Sequence, residues 1–268
     1  MPRLARLLSI AIIAVACAPA GAAIDSAPSP TIEATPITTA TPPQAQAPPT
    51  SQVTATPISY GGFDQVLSRD QSLAIMVKGE LRAHESRDRS SPAVVVPATT
   101  ILGTSTVANV VEGPVDGWVR IGLPMRPNGS TGWVELDSVE LYAVEGRIVI
   151  DLSDRELILY RDGQEILRTS TAVGTSRNPT PTGEFYVTDR VRLANPNSPW
   201  GPYALGLSAR SDTITEYNGG DGIIGIHGTN RPGSIGNAAS LGCVRLSNEA
   251  ITQLYELVVI GTPVEIRG

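Results

Sequence analysis

Short apolar runs bounded by polar and turn positions, the signal of strands, fall over residues 147–152 and again over 156–160. A turn follows at Arg161-Asp162-Gly163, and a further strand signal runs over 165–173, which predicts a β-meander. The words "NPTPTGEFYV" then supply a stiff Pro-Thr loop and a further strand over 184–188. Near the end the pattern changes. Ile251, Leu254 and Tyr255 fall at i, i+3 and i+4 behind Ser247 and Asn248, residue types that accept the free amides of a helix start. One convincing helix is expected there, and "TPVEI" returns as a closing strand.

Residues 65–143 have a different texture, with short apolar runs such as "AIMV", "AVVVPA" and "VANVVEG" between turn residues. Two near-identical words, "GWVRI" and "GWVEL", flank a loop containing Asn128-Gly129, a hairpin signal. Short strands at such spacing predict a small all-β barrel. The stretch "GWVRIGLPMRPNGSTGWVEL" resembles the bacterial SH3-like domains attached to cell-wall enzymes. Trp118 and Trp133 are expected to pack the barrel, the alternative being an aromatic patch that faces a ligand. His84, between Arg82 and Arg87, is expected in an exposed loop.

The first residues change the picture of where the chain works. Arg3 and Arg6 precede an apolar run and then small residues through Ala23, the pattern of a secretory signal over 1–23, too short to span a bilayer. "AVAC" at 14–17 also reads as a relaxed lipobox, with Cys17 acylated as the mature N-terminus. Cleavage by ordinary signal peptidase near residues 20–23 is the alternative. Residues 24–64 are rich in Pro, Thr, Ala, Ser and Gln without period, and they predict a disordered tether between a membrane anchor and the wall. The chain carries a net charge of −6 and shows no basic patch, so nucleic acid is not expected as a partner.

Only two cysteines and two histidines occur in 268 residues, and one of each lies in "IHGTNRPGSIGNAASLGCVRLSN". With Cys17 lipidated or removed, Cys243 is the single exported thiol, which excludes a disulfide framework and leaves it buried and inert, intermolecular, or reactive. One Cys and two His without spaced carboxylates make no zinc site, and neither metal nor cofactor is expected. A nucleophilic thiol needs a base, a group to orient that base, and amides for an oxyanion. His227 closes the apolar run "GIIGI", Gly242 precedes Cys243, and Arg245 follows two residues later, where an extended chain would place it on the face of the thiol.

These words resemble the L,D-transpeptidase catalytic domain, the YkuD-like family. "HGT" (His227, Gly228, Thr229), "SLGCVR" from Ser240 to Arg245, and "TPTGEFYV" stand in the family's order over residues 144–268. The resemblance implies that Cys243 is the nucleophile and His227 its base, with the Gly228 carbonyl orienting the imidazole. The amides of Gly242 and Cys243 would form the oxyanion hole, and Ser240 would brace the loop. Arg245 would bind a substrate carboxylate or support the site. Leu241 departs from the family, which carries a histidine there. The implied reaction joins peptidoglycan stem peptides through a cysteine thioester, giving 3→3 cross-links, and carbapenems would acylate the same sulfur. Water as acceptor would make an L,D-carboxypeptidase instead, and an inert Cys243 would leave a wall-binding protein.

Residues 190–220 contain Pro196, Pro199 and Pro202 and predict one long connection, a lid or binding loop. Trp200, Tyr203 and Tyr217 are its candidate cleft walls. The whole reading is a mainly β monomer: a small SH3-like β-barrel over 65–143, then an L,D-transpeptidase-type β-sandwich over 144–268 with one or two short helices. Export to the cell envelope is expected, as a lipoprotein or wall-associated protein.

Overall fold

Residues 71–145 form one antiparallel sheet, and residues 147–267 form a mixed sheet with parallel and antiparallel pairs and a small two-stranded ladder. The computed structural model describes residues 70–217 and 220–268, all within one compact unit. The expected signal peptide, Cys17 and tether lie outside the described residues.

The first sheet contains β1 (Gln71–Val77), β2 (Leu81–His84), β3 (Ala93–Val96), β4 (Val107–Val115), β5 (Trp118–Gly122), β6 (Thr131–Glu135) and β7 (Val139–Glu145). Their order is β3-β2-β6-β5-β4-β1-β7. The two repeated words pair as β5 and β6 with Val119 opposite Val134. Those valines are buried with Ile75, Ala83 and Ile121. Side chains alternate across a strand, so Trp118 and Trp133 fall on the other face, half-buried. Trp118 meets His84 edge-on at 5.7 Å, and the Arg87 guanidinium lies 5.4 Å over Trp133. The tryptophans therefore cover one face of the sheet and are not part of its core. His84 also departs from expectation, being buried at the end of β2 with Nδ1 3.2 Å from the Ser91 carbonyl.

The second half begins with β8 (Arg147–Asp151), β9 (Glu156–Arg161) and β10 (Gln164–Ser170). Asp162 and Gly163 both take positive φ, 52° and 75°, and form the two-residue turn that reverses β9 into β10. There follow β11 (Val173–Gly174), β12 (Gly183–Arg192), β13 (Tyr203–Arg210), β14 (Ile223–His227), β15 (Ala238–Ser240), β16 (Val244–Arg245), α1 (Asn248–Leu257) and β17 (Pro263–Arg267). Eight of these make a sheet ordered β10-β9-β8-β17-β12-β13-β14-β16, while β11 pairs with β15. The strand expected over 165–173 thus stops at Ser170, and Val173 belongs to the small second ladder.

Residues 190–220 are not one connection. β12 runs on to Arg192 and β13 occupies 203–210, leaving shorter loops on either side. The strand escaped detection because Leu205, Leu207, Ser208, Ala209 and Arg210 are all buried. A central strand covered on both faces has no alternation to read.

The helix lies as expected. Ser247 Oγ accepts the Ala250 N–H at 3.1 Å, and Ala250, Ile251, Leu254 and Tyr255 are buried. They join Phe185, Val187, Leu205, Leu207, Ile226 and Val244 in the larger core. Tyr186, between Phe185 and Val187, faces the other way into the core of the first sheet, where its hydroxyl donates to the Gly122 carbonyl at 2.9 Å. One strand thus contributes to two cores by simple alternation.

Candidate active site

His227 is the last residue of β14, and β16 runs parallel beside it with Ile226 level with Val244 and His227 level with Arg245. Ile226 and Val244 are fully buried in the core. His227 and Arg245 therefore share the opposite face, which Cys243 joins as the residue two before Arg245. Fifteen residues of intervening chain return the thiol to the base because these two short strands pair. His227, Cys243, Arg245, Ser240, Leu241, Trp200 and Tyr217 line a single cleft, with Pro199, Ser211, Ile214 and Ile224 among its other walls. Among the described residues no group of three His, Cys, Asp or Glu side chains is placed to hold a metal.

His227 Nδ1 lies 2.6 Å from the Gly228 carbonyl oxygen. A carbonyl has no proton to give, so Nδ1 carries the hydrogen and Nε2 keeps its lone pair. The Trp200 ring covers the imidazole at 4.4 Å. Burial lowers the His227 pKa to about 4, with the Arg245 cation pulling the same way against the Gly228 hydrogen bond. Burial also pushes the Cys243 thiol up, opposed by a hydrogen bond from the Gly225 backbone and by Arg245. Both shifts favour the neutral forms. Such a pair is suited to proton removal during attack.

The loop before Cys243 is fixed from two sides. Ser240 Oγ donates to the Cys243 carbonyl at 2.5 Å and accepts the Gly242 N–H at 3.1 Å. Gly242 has φ +118°, a conformation that disfavours any side chain, and an added Cβ would stand 3.0 Å from Ile224. From below, Thr180 Oγ1 donates to the Gly242 carbonyl at 2.8 Å. Ser240 braces the loop, but its bond to Gly242 occupies one of the two amides expected to face an oxyanion. The Gly242 N–H is therefore turned inward here.

Leu241 is half exposed at the cleft mouth, a position where an imidazole would also be solvated. Arg245 Nη1 donates to the Ala239 carbonyl at 3.2 Å, while its buried Nε meets no partner among the described residues. Tyr217 lies on the cleft rim, 46% exposed. Tyr203 does not reach the cleft. It stacks on Tyr255 of α1 at 4.3 Å, because on β13 its side chain is directed to the helix, and its carbonyl accepts the Gly228 N–H at 3.2 Å. Sequence reasoning missed Thr180, although its word was singled out, and Ser211 and Ile214, which were hidden in the supposed long connection. It also missed Asn248, whose side chain turns from the helix toward Thr229.

Comparison with known proteins identifies the family of the second half. The family profile described as the YkuD L,D-transpeptidase catalytic domain matches residues 145–266. A Bacillus subtilis protein named as an L,D-transpeptidase, YkuD, is 37% identical over 125 residues, 47% of this chain and 68% of its own length. Its namesake in Bacillus licheniformis is 38% identical over 120 residues, 45% of this chain and 64% of its own length. YqjB of Bacillus subtilis, also named as an L,D-transpeptidase, is 32% identical over 130 residues, 44% of this chain and 69% of its own length. The chain thus spans about two thirds of the length of these curated relatives. On the strength of these matches over the half that carries His227 and Cys243, the chain belongs to the YkuD family of L,D-transpeptidase catalytic domains.

Proposed function

We propose that the protein is a cysteine-dependent acyltransferase that cross-links peptidoglycan stem peptides. The observation that carries this reading is the parallel pairing of β14 and β16, which opens His227, Cys243 and Arg245 into one cleft. His227 Nε2 takes the thiol proton as sulfur attacks the carbonyl of the stem's third residue. A tetrahedral oxyanion forms, the C–N bond to the terminal D-Ala breaks, and the imidazolium returns its proton to the departing amine. The thioester left on Cys243 is then attacked by the side-chain amine of another stem, giving a 3→3 link and restoring the thiol. Arg245 serves the site as a cation beside the sulfur and as a partner for a substrate carboxylate. Of the expected oxyanion donors, the Cys243 amide is the one assigned, because Ser240 engages that of Gly242.

The same reading places the protein in the cell envelope, exported by residues 1–23 and held through Cys17 or released. Residues 65–143 act as an SH3-like positioning module, and the chain works as a monomer without cofactor. Incubation with tetrapeptide stems and mass analysis of the products tests the chemistry. A cross-linked dimer with free D-Ala is expected. Tripeptide and D-Ala without dimer would replace cross-linking by hydrolysis, and no adduct with a carbapenem on intact protein would remove the nucleophile altogether.

A further inference from the structure

The Gly228–Thr229 peptide unit is gripped at both ends. Its carbonyl accepts the His227 Nδ1–H at 2.6 Å, and its N–H donates to Asn248 Oδ1 at 2.8 Å. A peptide is a rigid plane with C=O and N–H pointing in opposite directions. The imidazole, the peptide and the Asn248 side chain therefore form a hydrogen-bonded series, and bonds in series polarise one another. Asn248 is not serving its own helix in this contact, because Ser247 Oγ already accepts the Ala250 N–H as the cap. Packing around the series is closed. A Cβ on Gly228 would stand 2.5 Å from Asn248 Oδ1, and one on Gly201 only 2.4 Å from the same oxygen and 2.6 Å from the Gly228 Cα. Two glycines face each other here because the backbones and the asparagine oxygen leave no space for side chains.

We propose that Asn248 is a positioning residue for His227, its side-chain oxygen fixing the Gly228–Thr229 peptide so that the imidazole proton stays on Nδ1 and Nε2 faces the thiol as acceptor. The inference rests on the reading of His227 as the base. Losing the oxygen frees the peptide to rotate, after which the carbonyl no longer selects one tautomer. An aspartate at 248 would keep an acceptor for the Thr229 N–H and add a negative charge behind the peptide. Arg245 and Cys243, the other ionisable groups beside the ring, are unchanged in either variant.

The test uses the full ¹⁵N-labelled chain, whose two histidines are told apart by His84→Gln. It follows the His227 tautomer and titration by NMR and the alkylation of Cys243 by iodoacetamide, read on its own peptide by mass. Asn248→Ala is expected to replace the single Nδ1–H tautomer with a mixture and to slow alkylation at pH 7 by about tenfold. Asn248→Asp is expected to retain the Nδ1–H form and move the titration upward by about one pH unit. A folded Asn248→Ala protein with unaltered tautomer and alkylation overturns the proposal. So does an Asp variant that titrates like the wild type, which decides the matter even if the alanine protein does not fold. Absence of stem-peptide turnover in the wild type would instead remove the cross-linking reading, and the tautomer data would stand apart from it.

Discussion

Thr180 Oγ1 donates to the Gly242 carbonyl at 2.8 Å and accepts the Gly174 N–H at 2.9 Å, so one buried hydroxyl ties β11 to the residue before Cys243. The word "TPTGEF" thus holds the nucleophile loop from beneath without touching the cleft. Thr180→Val keeps the shape and removes both bonds, leaving two backbone groups unpaired. A loss of ~1–3 kcal/mol in folding free energy is expected, together with slower acylation of Cys243, while Thr180→Ser should retain most of both. Urea melts read the first effect, and stability within about 0.5 kcal/mol of wild type for the valine variant would show that the clamp is idle.

His227, lowered to about 4 by burial, predicts an acid limb well below that of a free imidazole. Acylation by a carbapenem should be level near neutrality and fall by about tenfold per pH unit only below the His227 value. The same shift has a stability consequence. Between the folded value and an unfolded ~6.5, the unfolded chain binds the extra proton, so stability declines as pH falls through that window, by up to about 3 kcal/mol, and is fully present above it. His227→Gln should remove this part of the pH dependence. An acid limb near pH 6.5 in the wild type would mean a solvated imidazole.

Tyr186 couples the two sheets, because its ring lies in the first core while Phe185 and Val187 lie in the second. Tyr186→Phe removes only the hydroxyl bond to Gly122, with an expected cost of ~0.5–1.5 kcal/mol. Tyr186→Ala also empties a fully packed volume and should cost ~3–5 kcal/mol. Urea midpoints for the pair test this order, which an equal cost for both variants would contradict.

How far the sequence carried the argument depended on what kind of signal each residue leaves. Apolar runs bounded by turn residues located β8, β9 and β12, and the 3.6-residue period with Ser247 located α1. The scarcity of His and Cys drew attention to His227 and Cys243, and pairing of β14 with β16 is what makes their separation short in space. Consecutive residues buried on both faces, such as Leu207 and Ser208, leave no period, so β13 was read as loop. Tyr203 was misplaced for the same reason: without the strand, nothing indicated that its ring would stack on Tyr255. The roles of Thr180 and Asn248 reside in hydrogen bonds to distant backbone, which no local pattern encodes.

Asn128 joins the first sheet to the cleft wall. Its Nδ2 donates to the Arg210 carbonyl and its Oδ1 accepts the Arg210 N–H, both at 2.8 Å, so the side chain pairs with the end of β13 as a strand would. Beside it, Arg126 Nη2 donates to the Ser211 carbonyl at 2.9 Å and the Ile214 carbonyl at 3.2 Å. Ser211 and Ile214 line the cleft, whereas His227 and Cys243 are held by β14 and β16. Loosening this clamp should therefore displace the wall that contacts substrate and leave the nucleophile in place. Asn128→Ala is expected to lower stability by ~1–3 kcal/mol and to raise KM for stem peptides several-fold with kcat much less affected, the signature of lost binding that is uniform between ground and transition states. Iodoacetamide, too small to need the wall, should alkylate Cys243 at the wild-type rate. A fall in that rate would place the nucleophile itself under the control of the β5–β6 loop, and an unchanged KM would show that the wall keeps its shape without Asn128.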